Sequence, residues 1–279
     1  MTFRTRFAPS PTGPLHLGHA YSAILAHDQA RAKGGAFFLR LDDIDQSRAR
    51  PHWAQQIERD LNWLGLSWDG PIWSQHARSE QYDIALTKLW DMGLLYPCAC
   101  SRKDIKEAAN APQESAPLIG PDGLVYPGTC RRDVTDEKPA DIALRLNMRK
   151  ALQSLELKQI SFSEKGSLVS KTASSMIGEI GDVVLARKDM AASYHLSIVV
   201  DDAEQGITDV MRGEDLQDAS FIHVLLQQLL GYDTPKYHHH SLIRDTQGKR
   251  LAKRDDSRAI AKYREDGLTP QDIRAMVGL

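Results

Sequence analysis

Apolar positions along the first hundred residues switch between two spacings, and the switches predict a run of alternating strands and helices. Residues 3–9, FRTRFAP, predict a short strand, and residues 18–33 predict a helix closed by Gly34 and Gly35. AFFLRLDDID, residues 36–45, predicts a second strand with an apolar front half and an acidic end. Pro51 suits the first position of a helix, and Trp53, Ile57, Leu61 and Leu64 then recur at helical spacing. A third helix is expected over 79–92, with Tyr82, Leu86 and Leu89 on one face. Strand, helix, strand, helix in this order predicts an α/β chain whose parallel sheet is covered by helices.

The rhythm stops near residue 95. Residues 95–140 hold every cysteine, several prolines and the polar run NAPQESAPLIGPDG, which together predict an insert with little regular structure. From Asp141 the apolar runs are short and strand-like: DIALRLNM, GDVVLAR and YHLSIVVDD. DASFIHVLLQQLLGY predicts a longer helix, and YHHHSLIRDTQGKRLAKR a strand leading through a glycine turn into a basic loop. Two short helices are expected to close the chain.

Composition narrows the class. The chain has 279 residues, 42% of them hydrophobic and 26% charged, which fits a soluble globular protein with one large domain, or one domain carrying an insert. No apolar run approaches the ~20 residues that span a bilayer. The N-terminal MTFRTRFAPS has no apolar segment behind its arginines, so no secretory signal is expected, and a cytoplasmic protein is. A net charge of −2 gives no global nucleic-acid signature, although a local patch such as RDTQGKRLAKRDDSR can still grip phosphates. The three cysteines, Cys98, Cys100 and Cys130, are odd in number and clustered, which points to a metal rather than to a disulfide framework.

The densest local signal is PSPTGPLHLGH, a strand bent into a helix start. Such a turn brings free backbone N–H groups and the positive end of a helix dipole to one spot. His16 and His19 can donate to phosphate oxygens there, or one of them can serve only as a cap or packing residue.

In context, RFAPSPTGPLHLGHAYSA resembles the HIGH signature of the class I aminoacyl-tRNA synthetases, in their glutamyl/glutaminyl branch. FFLRLDDID resembles the strand that follows it there, YHLSIVVDDAEQGITDVMRGEDL the segment around the amino-acid pocket, and GKRLAKR the KMSKS loop. Four motifs in family order imply a Rossmann-like catalytic domain. Its first half is expected over 1–95 and a zinc-binding insert over 96–140. An acceptor-type insert with the second half and the KMSKS-like loop would cover 141–255, and short C-terminal helices 256–279.

The resemblance also implies chemistry. A glutamate carboxylate attacks the α-phosphorus of ATP and expels pyrophosphate, so catalysis is mostly positioning and electrostatic stabilisation. His16, His19 and Lys253 are the implied catalytic residues, with Gly18 and Arg250 joining them around ATP and its Mg2+. Arg250 and Ala252 depart from the lysine and serine of the family loop; arginine keeps the charge and adds a fork. Arg6, Ser10, Asp42, Tyr194 and Arg212 are the implied glutamate-binding residues. Two arginines suit a carboxylate side chain, which favours glutamate over glutamine. Asp42 stands where the family has glutamate, one methylene longer; it is expected to face the substrate ammonium, or else to pair with Arg40.

For the cysteines, a structural zinc requires a fourth ligand. No histidine lies between His76 and His195, which leaves Tyr126, Asp122 and Asp133 as local oxygen candidates. A short branch of the family, the glutamyl-queuosine tRNA(Asp) synthetases, has the same Cys-Xaa-Cys and Tyr-Xaa-Xaa-Xaa-Cys spacing. That resemblance implies one Zn2+ held by Cys98, Cys100, Tyr126 and Cys130.

The chain stops some 25 residues after Lys253, where a glutamyl-tRNA synthetase continues into an anticodon-binding domain. No anticodon-binding domain is therefore expected. In the resembled branch the acceptor is queuosine in the anticodon loop of tRNA(Asp), and the partners are ATP, L-glutamate and that loop, acting on a monomer with no membrane. Two alternatives remain at the level of sequence: a truncated synthetase charging tRNA(Glu), and a non-catalytic RNA- or zinc-binding module.

Overall fold

The computed structural model describes residues 2–109, 118–134, 137–243 and 258–279. In chain order the first part folds as β1 (Arg4–Phe7), α1 (Leu17–Ala32), β2 (Ala36–Leu41), α2 (Pro51–Trp63), β3 (Trp73–Ser74), α3 (Ser79–Asp91) and β4 (Leu95–Cys98). Next come α4 (Arg102–Ala109), β5 (Ile119–Gly120), β6 (Gly123–Leu124), β7 (Ala143–Leu146), α5 (Met148–Ser154), β8 (Gln159–Glu164) and β9 (Ser167–Thr172). The one-turn helix α6 (Ala173–Ser175) runs into a π-helical turn at Met176–Ile180. The rest comprises β10 (Val184–Ala186), α7 (Tyr194–Glu204), β11 (Asp209–Gly213), α8 (Gln217–Leu230), β12 (Lys236–His240), α9 (Ile260–Glu265) and α10 (Pro270–Val277).

These elements form two compact units: residues 1–77, 206–215 and 235–279 make the first, and residues 78–205 and 216–234 the second. In the first unit β1 pairs with β2 in parallel, from Arg4 opposite Ala36 to Phe7 opposite Leu39, and β2 continues in parallel to β3. β11 and β12 also pair in parallel, from Asp209 opposite Lys236 to Gly213 opposite His240. Thr208 ties the two pairs together: its N–H donates to the Arg4 carbonyl at 2.9 Å, and its Oγ1 accepts from the Arg4 N–H at 2.9 Å. This is the expected parallel sheet with covering helices.

The helix against that sheet is thin where it must be. α1 buries Ala20, Ala23, Ala26 and Ala30, small side chains that let its backbone approach the strands, and fills the remaining space with Leu17 and Ile24. Phe37 and Leu39 of β2, Ile57 and Leu61 of α2, and Ile260 and Ile273 from the C-terminal helices complete the same core, all essentially sealed from water. Gly35 closes α1 for a steric reason: a Cβ there would lie 2.2 Å from the Phe3 carbonyl oxygen.

The second unit is antiparallel in its sheet, with β7 flanked by β4 and β10. Here the sequence reading needs two corrections. YHLSIVVDD is a helix, not a strand, because every residue from His195 to Asp202 is buried. A helix buried all round has no polar face, so its periodicity vanishes and its β-branched run reads as a strand. The insert is also more regular than its composition suggests, with α4 and the β5–β6 hairpin in it and β4 leading in. The β8–β9 hairpin was not expected; its turn puts Lys165 and Gly166 at φ of 49° and 84°, the primed geometry that matches strand twist.

Candidate active site and metal centre

Helix α1 begins with a cap built from two histidines. His16 is the N-cap: its Nδ1 accepts from the Gly18 N–H at 3.1 Å, and the His16 N–H donates to Nδ1 of His19 at 3.2 Å. Both imidazoles thus use Nδ1 as an acceptor, which places the proton of each neutral ring on Nε2 and makes Nε2–H a donor. The rings lie 3.8 Å apart, tilted by 32°. No acidic residue occupies the first turn of α1, so nothing there competes for an anion. Gly18 has a reason of its own here: a Cβ would come within 3.1 Å of the His16 ring. A side chain at position 18 would therefore push the capping ring by a few tenths of an ångström.

Two other implied residues of the first unit lie on neighbouring strands. Arg6 on β1 and Arg212 on β11 are both buried, at 4% and 6% exposure, two guanidinium groups that must carry charge in a low-dielectric setting. Arg212 is aimed by β12: its Nε donates to Nε2 of His239 at 3.3 Å, and its guanidinium carbon sits 5.2 Å from the Tyr237 ring centre. The Tyr237 and His239 rings are nearly coplanar in orientation, 5° apart. Asp42, at the end of β2, does pair with Arg40 through Oδ1 at 2.8 Å, and that arginine is fully buried. Ser10 is exposed on the loop before α1. Tyr194 belongs to the second unit, where it opens α7 and is half-buried. Arg250 and Lys253 lie outside the described residues, as does Ala252.

The cysteines converge. The Sγ atoms of Cys98, Cys100 and Cys130 lie within 4.8 Å of one another, with Cys100 and Cys130 at 3.3 Å. Tyr126 completes the group: its Oη is 3.5 Å from Cys98 Sγ and 3.4 Å from Cys100 Sγ, and accepts from the Cys130 N–H at 2.8 Å. A tetrahedral zinc with Zn–S bonds of about 2.3 Å sets its ligands about 3.5–3.8 Å apart. The four atoms are already close to that spacing, and three soft donors suit zinc, so the residues fit the ion. The other two oxygen candidates are occupied elsewhere: Asp122 accepts from His195, and Asp133 pairs with Lys150. The hydrogen bond from Tyr126 brings the Cys130 thiol down to about 7. Burial, followed by hydrogen bonds with the thiols, pushes the Tyr126 hydroxyl well above the usual phenol range.

Three arrangements escaped the sequence reading. Arg145 on β7 touches the cysteine cluster, and its only signal was a cation inside the apolar strand IALRL. Asp122, His195 and His223 form a hydrogen-bonded chain with two buried histidines and an exposed carboxylate, His195 Nε2 lying 2.7 Å from Asp122 Oδ1 and His195 Nδ1 3.0 Å from His223 Nε2. Tyr194 stands beside it, 5.6 Å from each imidazole. The third is the histidine run on β12, where His238 meets Asp209 at 2.8 Å and His240 meets Ser22 of α1 at 2.7 Å. Among the described residues no helix is long and apolar enough to cross a membrane.

Comparison with known proteins gives the family. The Glutamyl-Q tRNA(Asp) synthetase of Rhodobacter capsulatus is 56% identical over 278 residues, covering 99% of both chains. The protein of the same name from Rhodopirellula baltica is 39% identical over 275 residues, 96% of this chain and 82% of that one. Among solved structures, a glutamate tRNA ligase from Elizabethkingia meningosepticum in complex with its amino acid superposes with a TM-score of 0.79 at 27% identity. The match takes in all of this chain and 61% of that one, so the present chain spans under two thirds of the ligase's length. Mycobacterium tuberculosis methionyl-tRNA synthetase shares the fold, at a TM-score of 0.61 and 11% identity. The model of the class I tRNA synthetases (E and Q), catalytic domain, matches residues 2–279, and the chain belongs to that family.

Proposed function

We propose that this protein activates L-glutamate with ATP and transfers the glutamyl group to queuosine at the wobble position of tRNA(Asp). The observation that carries the reading is end-to-end similarity to a protein named for that reaction, 56% identical across 99% of both chains. In the first step a glutamate carboxylate oxygen attacks the α-phosphorus and the bond to pyrophosphate breaks. In the second a hydroxyl of the queuosine cyclopentenediol attacks the acyl carbon, and AMP leaves. The first step needs no general base, because the nucleophile is already ionised.

The residues divide the work by charge. The Nε2–H groups of His16 and His19 and the first N–H groups of α1 receive phosphate oxygens, and Lys253 and Arg250 of the basic loop meet the pyrophosphate portion with Mg2+. Arg212, held by His239 and Tyr237, and Arg6 take the side-chain carboxylate of glutamate, with Asp42 toward its ammonium and Ser10 beside them; Tyr194 is a further glutamate contact. Cys98, Cys100, Cys130 and Tyr126 hold one zinc ion, which ties the insert together and supplies no reaction step. The protein acts as a monomer in the cytoplasm.

The test is transfer of labelled glutamate, with ATP, to tRNA(Asp) with and without queuosine, alongside tRNA(Glu). Label confined to queuosine-containing tRNA(Asp) is expected. Label on tRNA(Glu) would instead make the chain a short glutamyl-tRNA synthetase. Absence of both label and ATP–pyrophosphate exchange would leave an RNA- or zinc-binding module.

A further inference from the structure

Arg145 is a buried cation whose hydrogen bonds, among the described residues, go to no carboxylate. Only 9% of it is exposed, on the central strand β7, where it stands opposite Tyr96 of β4 and Val184 of β10. Its Nε donates to Cys98 Sγ at 3.3 Å, and its Nη1 to the Asp182 carbonyl oxygen at 2.8 Å. The guanidinium carbon lies 3.9 Å from the centre of the Tyr126 ring, close cation–π contact. The nearby carboxylate of Asp182 is committed to other groups. Its Oδ2 accepts from Tyr96 at 2.5 Å and from Arg131 Nε at 2.7 Å, and its Oδ1 from the Met148 N–H at 2.9 Å.

A guanidinium stays charged in any protein setting, and a charge taken out of water without a counter-charge is strongly unfavourable. The carboxylates of Asp122 and Asp182 stand further off, and the counter-charge at contact distance comes from what Arg145 does touch. Three thiolates and a phenolate around a divalent ion carry a net charge of −2, and one adjacent guanidinium halves it. Cation and centre each supply what the other lacks. The contacts are also directional: the Nε–H fixes where Cys98 Sγ points, and the flat face fixes the plane of the Tyr126 ring. An outer group of this kind orients ligands and tunes affinity without binding the metal.

We propose that Arg145 is the outer-sphere cation of the metal centre, orienting Cys98 and Tyr126 and compensating the excess negative charge of the ligand set. This rests on the reading of Cys98, Cys100, Tyr126 and Cys130 as a zinc site. The test is zinc content and zinc affinity, by chelator competition, of the whole chain and of Arg145→Met, Arg145→Lys and Tyr96→Phe. The unaltered chain is expected to hold one zinc. Arg145→Met should bind it about 10- to 100-fold more weakly, with Arg145→Lys in between, since it keeps the charge and loses the fork. Tyr96→Phe removes a neighbouring hydrogen bond to Asp182 without touching a sulfur, and should leave zinc affinity unchanged.

Thermal unfolding followed by circular dichroism in excess zinc identifies any variant that fails to fold. Equal affinity in Arg145→Met and the unaltered chain would overturn the inference while leaving the zinc site intact. An equal loss in Tyr96→Phe would overturn it too, by reducing the effect to general loosening of the insert. An unaltered chain without zinc would remove the site itself and the inference with it.

Discussion

The proposed function gives the His16 ring two jobs, and the two can be separated. Nδ1 caps α1, and in the proposed function Nε2–H meets a phosphate oxygen. His16→Ala should lose the cap, about 1 kcal/mol of stability, and slow ATP–pyrophosphate exchange about 100-fold, the scale of losing one oriented donor. His16→Asn keeps a capping oxygen and should restore the stability without restoring the rate. Recovery of both by asparagine would reduce His16 to a cap. This position was legible because cap, glycine and donor lie within four residues of one another. Arg145 was not, since its partners Cys98 and Asp182 are 47 and 37 residues away and only folding brings them together. The tyrosine beside the thiols lies between these cases: spacing made it one of three oxygen candidates, and geometry separates it from Asp122 and Asp133.

At the scale of elements, α10 depends on local rules and on one ion pair. Thr269 and Asp272 form a reciprocal capping box at its start, Pro270 occupies its first turn, and Gly278 ends it at φ 80°. Arg274 then grips Asp28 of α1 with two hydrogen bonds, at 2.6 and 3.1 Å. The Arg274 hydrogen bond is the leading reason that the Asp28 carboxyl titrates below its ordinary 3.8. A depressed folded-state value means that the native state prefers the ionised form. The pair's contribution is present above the unfolded value and is lost as pH falls through the lower folded one. Both side chains are partly exposed, so the contribution is at most about 1 kcal/mol. Arg274→Ala should be less stable than the parent at neutral pH, with the gap closing below about pH 4; melting curves across that range check it, and a gap that persists in acid would place the effect in packing. Capping signals of this kind are local and lie in the sequence itself. They fail for α7, where burial on every side erased the polar face that marks a helix.

At the scale of the molecule, the first unit is assembled from three separated stretches of chain, and its core is closed by the last of them. Ile260, Tyr263, Ile273 and Val277 all enter that core. At about 1.5–3 kcal/mol for each buried side chain, losing all four rivals the entire stability of an ordinary domain, about 5–15 kcal/mol. A chain stopped at residue 257 is therefore expected to lose cooperative unfolding of the first unit and to be cut quickly by trypsin within residues 1–77. Persistence of a protected N-terminal fragment would mean that the sheet stands without its C-terminal helices. The parallel sheet itself was legible in the alternating rhythm of the first hundred residues. The threading was not, because hydrophobic spacing says what an element is and not which distant segment will lie beside it. The edge of β1 that faces Thr208 has a consequence during synthesis. A ribosome adding roughly 5–20 residues per second takes several seconds or more to go from residue 77 to the segment that covers this edge. For that interval residues 1–77 have neither the segment that covers this edge nor the helices that close their core, and apolar stretches left open in this way are the kind of surface that recruits other chains. The order of translation thus makes the first strands of the sheet wait on the last residues of their unit.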